Sequence, residues 1–163
     1  MTDSTNSTGT FIWNELATRD LAAARTFYTQ LFGWGSEATP MPDEMPGDYV
    51  LFKLGAVDIC GTYDMSGPMF EGVPPNWASY VSVDDVDATI AKAAAAGGRP
   101  TFPAIDVPGV GRMGGFMDPT GAAISVFKMG GREERPDLGA AHGSLCWNEL
   151  MTNDTEAAEK FYS

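Results

Sequence analysis

With 22 acidic against 10 basic side chains in 163 residues, the chain carries a formal net charge of −12. That charge repels phosphate backbones and anionic bilayers, which excludes nucleic acid and membrane surfaces as expected partners. The 44% apolar content supports a buried core, yet no apolar run approaches the ~20 residues of a membrane span.

The polar N-terminus, residues 1–9, has no apolar stretch of the signal-peptide kind and is expected to be disordered. Thr10 to Thr18 reads as a strand. Asp20 can cap a following helix, along which Leu21, Ala24, Phe27, Tyr28 and Leu31 recur at helical spacing until Gly33. Trp34 to Ala38 suggests a short strand, and Pro40, Pro42 and Pro46 mark a loop. Tyr49 to Leu54 and Val57 to Tyr63 form two strands joined by a turn at Gly55. A Gly/Pro-rich connection follows, with Ser66-Gly67-Pro68 and Gly72-Val73-Pro74-Pro75-Asn76.

The same order then restarts. Trp77 to Val83 is a strand, and Asp84 or Asp85 caps a helix through Val86, Ile90, Ala93 and Ala94 that ends at Gly97-Gly98. Thr101 to Ile105, Arg112 to Met117 and Ala122 to Phe127 supply three more strands, the last two joined by the Asp118-Pro119-Thr120-Gly121 turn. Asp20 and Asp85 stand 65 positions apart in equivalent places. Residues 10–129 are thus one module of two βαβββ half-units, 10–64 and 77–129. Residues 130–143 have linker composition, with Arg132-Glu133-Glu134-Arg135-Pro136-Asp137 and several glycines.

A longer repeat overlays this one. Trp13-Asn14-Glu15-Leu16 returns as Trp147-Asn148-Glu149-Leu150, and Phe27-Tyr28 returns as Phe161-Tyr162, at a constant offset of 134 positions. This period far exceeds the ~20–50 residues of solenoid units and signals duplication of a whole domain. Residues 144–163 are expected to be the first strand and helix of a truncated second module. Cys60 and Cys146 fall in different copies without metal-type spacing, as expected of a reducing cytoplasm.

The nested βαβββ units, the Phe32-Gly33-Trp34 stop, Val83-Asp84-Asp85-Val86-Asp87-Ala88 and the Asp118-Pro119-Thr120-Gly121 turn together resemble the vicinal oxygen chelate superfamily. That group includes glyoxalase, bleomycin-resistance proteins and extradiol dioxygenases. The two-module layout and the Trp-Asn-Glu-Leu segment are most similar to its actinobacterial glyoxalase-like members. The resemblance implies an α+β fold, a cup-shaped curved mixed sheet of paired half-units with flanking helices. It also implies a divalent metal in the cup that chelates two adjacent substrate oxygens.

The metal ligands do not carry over. The first-strand ligand, seven positions before the capping Asp, falls on Trp13 in one half-unit and Ala78 in the other. Ser125 stands where the last-strand Glu is expected, among Ala123, Ile124 and Val126. Asp58 and Cys60 have no partner histidine in the pattern, and the one histidine, His142, lies in the linker, where solvation alone accounts for it. No metal cofactor is expected, and a glyoxalase or dioxygenase activity of this module is rejected at this stage.

If Trp13 faces the cup, strand alternation brings Glu15 and Ala17 to the same face, and Ala78, Tyr80 and Ser82 line it from the other half. The candidate ligand-binding residues are Trp13, Glu15, Tyr80, Arg112 and Ser125. Trp13 has the plainer reading of a core or interface residue. Glu15, in an apolar strand, must be paired, hydrated or protonated. It is either a structural partner of Arg112 or Arg19, or a candidate catalytic base or handle for a cationic ligand. Met65 and Met69 read as lid residues or as edge seals. Gly109, Gly111, Gly114 and Gly115 are spaced too irregularly for a nucleotide loop.

Three functions compete. The first is a metal-free module that binds a small aromatic or amphipathic molecule. The second is a metal-dependent lyase or dioxygenase whose ligands lie in the second module. The third is assembly, with the 144–163 strand and helix pairing with another chain as a homodimer.

Overall fold

The strands and helices form where hydrophobic periodicity places them. The computed structural model describes residues 8–41, 47–131 and 141–163. Residues 1–7, Pro42, Pro46 and the Arg132–Asp137 linker lie outside the described residues. The order is β1 (Phe11–Thr18), α1 (Leu21–Phe32), β2 (Gly35–Pro40), β3 (Asp48–Leu54), β4 (Val57–Asp64), a 3-10 turn (Pro68–Phe70), β5 (Asn76–Ser82), α2 (Val86–Ala95), β6 (Arg99–Val107), β7 (Gly111–Met117), β8 (Ala123–Met129) and α3 (Thr155–Tyr162). The fold class is α+β, two βαβββ half-units whose strands are joined in an eight-stranded mixed sheet ordered β2-β3-β4-β1-β5-β8-β7-β6. No described helix is long and apolar enough to cross a membrane.

The chain divides into two compact units. The first holds residues 13–78 together with 141–146. Its β2, β3 and β4 pair antiparallel, while β1 joins β4 in parallel. Leu16 and Val50 lie opposite Thr62, and Phe52 opposite Cys60, so these residues share one face of the sheet. Phe52, Cys60, Trp34 and Ile59 form the core on that face, with Tyr28 of α1 packed against them. Asp20 accepts a hydrogen bond from the Ala23 N–H at 2.9 Å, satisfying one orphan donor of the first turn of α1. Gly33 ends the helix in the left-handed conformation at φ 70°, where a side chain would be strained. Cys60 is buried and Cys146 exposed, and neither is in a disulfide. Met65 is fully buried, which makes it a core residue.

The second unit holds residues 8–12, 79–131 and 147–163 of the described chain. The start of β1 is tied to β5 here, as Ser82 N–H donates to Thr10 O at 2.8 Å. β5 and β8 are parallel, and β8, β7 and β6 follow antiparallel. Asp85, rather than Asp84, caps α2 by accepting from the Ala88 N–H at 2.9 Å. Val86 and Ala93 of α2 bury against Phe116 and Val126. A Cβ on Gly114 would lie 2.4 Å from Ile90 Cδ1, so its absence lets α2 rest close on β7. In the Asp118-Pro119-Thr120-Gly121 turn, Asp118 N–H donates to Ala122 O at 2.8 Å and Gly121 takes φ 95°.

The expectation of a strand at 144–151 is corrected. Residues 145–152 have no strand conformation, and Trp147 and Met151 are 79% and 88% exposed. A strand needs a ladder partner for its backbone groups, and the contact shown for this segment is a side-chain bond, Ser79 Oγ to Asn148 Oδ1 at 2.7 Å. The helix after it does form. Asp154 caps α3 as Asp20 caps α1, accepting from the Ala157 N–H at 3.0 Å.

Candidate functional site

On the first unit, the face of the sheet turned away from α1 carries a connected set of polar and aromatic side chains. Trp13, Glu15 and Ala17 alternate along β1 onto this face. The register places Glu15 beside Gly61, Ala17 beside Tyr63, and Tyr49 beside Tyr63. The Trp13 indole Nε1–H donates to Tyr49 Oη at 2.9 Å. The Tyr49 hydroxyl in turn donates to Glu15 Oε1. Gly61 makes this possible, because a Cβ there would sit 2.0 Å from Tyr49 Oη and 2.4 Å from its Cζ. The ring therefore crosses β4 over the bare glycine to reach the carboxylate on β1.

Tyr63 borders the same set. Burial, and secondarily the negative charge of Glu15, push its hydroxyl up to about 12. It therefore stays protonated at neutral pH and able to donate. Among the described residues that hydroxyl has no hydrogen-bond partner. The Phe70 ring packs 5.8 Å from that of Tyr63. The loop carrying Phe70 is held by Arg19, whose guanidinium donates to Val73 O at 2.8 Å and to Phe70 O at 3.4 Å.

On the second unit, Tyr80 and Ser125 are Cα partners in the parallel ladder, and both are buried. Both point away from α2, and the Tyr80 ring lies 6.4 Å from Phe127. Arg112 belongs to the other face. Its neighbours at two-residue spacing, Gly114 and Phe116, pack on α2. Its guanidinium is forked onto both Asp87 oxygens at 2.8 and 3.0 Å, with Asp106 at 3.0 Å. Arg112 thus lies on the α2 face of the second unit, opposite the Tyr80–Ser125 face, and Arg19 is engaged by the Phe70–Val73 loop of the first. Each arginine lies where strand parity and loop chemistry send it.

Within the first unit the structure brings Trp13 and Glu15 together, and within the second Tyr80 and Ser125. Sequence reasoning missed Tyr49, Gly61 and Tyr63. A glycine in the middle of an otherwise apolar strand signals a close approach by another group, and Gly61 was the clue to Tyr49.

These donors do not fit a divalent metal. At the first-strand ligand position, the Trp13 indole offers an N–H and no lone pair. Ala78 offers nothing, and Ser125 is a weak neutral donor. Asp58 is paired with Lys53 at 3.2 Å, and Cys60 lies in the core on the α1 face. His142 is exposed. Among the described residues, no group of three or more His, Cys, Asp or Glu side chains is placed to hold an ion.

The sequence profile of the Glyoxalase/Bleomycin resistance protein/Dioxygenase superfamily matches residues 10–126, and the chain belongs to that family. Over 154 residues it is 40% identical to "Putative glyoxylase CFP32" of Mycobacterium bovis and Mycobacterium tuberculosis, a match covering 94% of this chain and 58% of that protein. It is 35% identical over 161 residues to the anthracycline biosynthesis protein DnrV of Streptomyces peucetius, covering 92% of this chain and 58% of DnrV. The chain thus spans 58% of the length of these relatives. The Mn(II)-bound glyoxalase from Novosphingobium aromaticivorans shares the fold at a TM-score of 0.52 and 18% identity, over 82% of this chain and 43% of that one.

Proposed function

We propose that this chain is a metal-free, small-molecule binding member of the glyoxalase/bleomycin-resistance group. The observation that carries the reading is the Trp13–Tyr49–Glu15 chain of hydrogen bonds, which starts from Trp13, the position at which the family resemblance implies a metal ligand. An indole and two phenols supply flat apolar surface, and they surround one carboxylate and one free hydroxyl donor. Flat surface with a few convergent polar groups suits a small aromatic or amphipathic molecule that presents a donor or cationic group to Glu15. The name of DnrV supports a planar ligand, because anthracyclines are fused-ring molecules.

Isothermal titration against a panel of planar compounds, with and without a basic amine, tests the reading. Saturable binding at one site is expected, weakened about tenfold by Trp13→Ala, the loss of ~1.4 kcal/mol of aromatic contact. Elemental analysis should find well under one divalent ion per chain. One tightly held ion per chain would overturn the metal-free part, and absence of saturable binding would overturn the binding part.

A further inference from the structure

The Tyr63 hydroxyl is a hydrogen-bond donor with no acceptor among the described residues. Partly buried phenols normally pair their O–H, so an unpaired one marks a place for an acceptor from outside the chain. The ladder shows why its neighbours supply none. On β1 the Cα partner of Tyr63 is Ala17, which has no polar side-chain atom. On β3 it is Tyr49, whose hydroxyl takes the Trp13 N–H and donates to Glu15. Glu15 lies one same-face step from Ala17, opposite Gly61. Its charge acts on Tyr63, yet it accepts from Tyr49 rather than from Tyr63.

The Tyr63 ring is also held in place. Phe70 packs on it at 5.8 Å and 42°. The loop that carries Phe70 is tied down in turn by the Arg19 guanidinium, through the Phe70 and Val73 carbonyls. A donor fixed in this way loses little freedom on meeting an acceptor. Two residues of β4 separate Gly61 from Tyr63, roughly 6.6 Å along the strand. The carboxylate beside Gly61 and the hydroxyl of Tyr63 therefore suit groups on different edges of a flat molecule rather than on adjacent atoms.

We infer, on the reading of this face as a small-molecule site, that Tyr63 sets its specificity: the ligand is a flat aromatic molecule with a carbonyl or similar acceptor oxygen on one edge and a hydroxyl or amine on another. The Tyr63 O–H donates to the acceptor, and Glu15 accepts from the donor group. A ligand without the acceptor leaves the Tyr63 hydroxyl desolvated and unpaired, which costs more than a missed apolar contact. Aryl ketones with a distant phenol or aniline group meet both demands. Aromatic hydrocarbons and simple arylamines do not.

Two probes isolate the Tyr63 contact: an acetylnaphthol with its hydroxyl on the far ring, and the matching ethylnaphthol, which lacks only the acceptor. In calorimetric titration the parent chain should bind the acetylnaphthol roughly fivefold to tenfold more tightly than the ethylnaphthol. Tyr63→Phe removes a hydroxyl that bonds to nothing among the described residues, so the chain should fold, as circular dichroism checks. It should lose the preference and bind the two naphthols within about twofold of each other. In infrared difference spectra the carbonyl stretch of bound acetylnaphthol should lie lower with the parent than with Tyr63→Phe, the direction a hydrogen bond imposes. A parent chain that binds both naphthols equally overturns the Tyr63 contact and leaves the binding reading standing. A Tyr63→Phe chain that keeps the preference and the lowered stretch does the same. If neither naphthol binds the parent saturably, the reading of this face as a binding site fails, and the Tyr63 contact with it.

Discussion

Gly61→Ala is the sharpest probe of the face that carries Trp13, Tyr49 and Glu15. Gly61 does not lie in the left-handed region, so alanine is acceptable to the backbone itself. The obstacle is Tyr49, whose Oη would stand 2.0 Å from the new Cβ, far inside contact distance. β4 is hydrogen-bonded on both sides, so the ring moves rather than the strand. Its hydroxyl then loses Glu15, a bond to a charged group contributing roughly 1.5–3 kcal/mol. Crowding in a packed region adds about 1–3 kcal/mol, so a loss near 3 kcal/mol is expected. Urea unfolding measures it through the midpoint. The decisive comparison is a double-mutant cycle with Tyr49→Ala. Once the ring is gone, Gly61→Ala should be neutral within about 0.5 kcal/mol, giving a coupling of ~2 kcal/mol or more. Additive effects would refute the claim that Gly61 exists to admit Tyr49. The same substitution should weaken binding of any ligand that engages Glu15, which calorimetry would show.

Three further outcomes follow from the same geometry. Absorbance titration should find one tyrosine ionising at about 12; Glu15→Gln should lower that value without restoring 10, because burial is the larger cause. A tyrosine raised in the folded state contributes stability below pH 10 that is lost as pH rises toward 12, so alkaline unfolding should come later in a Tyr63→Phe chain. Burial works to raise the Asp118 carboxyl, but hydrogen bonds from Thr120, Ala122 and Tyr162 outweigh it and hold the group below its usual 3.8. That stability is present above pH 3.8 and is lost as pH falls through the lower folded value, so Asp118→Asn should flatten the acid limb of the stability curve. Arg112→Gln should leave ligand affinity unchanged, since Arg112 pairs with Asp87 and Asp106 on the α2 face, and a clear loss of affinity would contradict its placement.

What was legible in the sequence is what local chemistry determines. The helices were, since Asp20, Asp85 and Asp154 each cap through their own third-following N–H, a bond that needs nothing outside the segment. The half-unit order was legible because turns at Gly55 and Asp118–Gly121 separate apolar alternations. The site was legible only where alternation along one strand suffices, which gave Trp13 with Glu15. Tyr49 lies 34 positions from Glu15, and only the β3–β4–β1 register brings them together. The face that Arg112 takes is a parity question that β7 alone does not answer. Its face follows from Gly114 and Phe116 lying under α2.

The repeat separates these two kinds of information. Trp13-Asn14-Glu15-Leu16 and Trp147-Asn148-Glu149-Leu150 are the same four residues, yet the first lies in a strand and the second does not. The first has β4 beside it, whose backbone answers its own from Glu15 to Thr18. The second is met by a side-chain bond from Ser79 to Asn148, and its Trp147 stands in solvent where Trp13 is half-buried and bonded to Tyr49. Strand formation is therefore a property of the neighbours, whereas α1 and α3 form alike because their caps travel with the sequence. The same argument applies to the site. Only the first copy has a Tyr49 and a Gly61 within reach of its carboxylate, so Glu149, although it repeats Glu15, has no equivalent relay among the described residues. A Glu149→Gln chain should bind ligand as the parent does, and a Glu15→Gln chain should not. Equal losses in both would show that the repeated carboxylate acts without the aromatic frame around it.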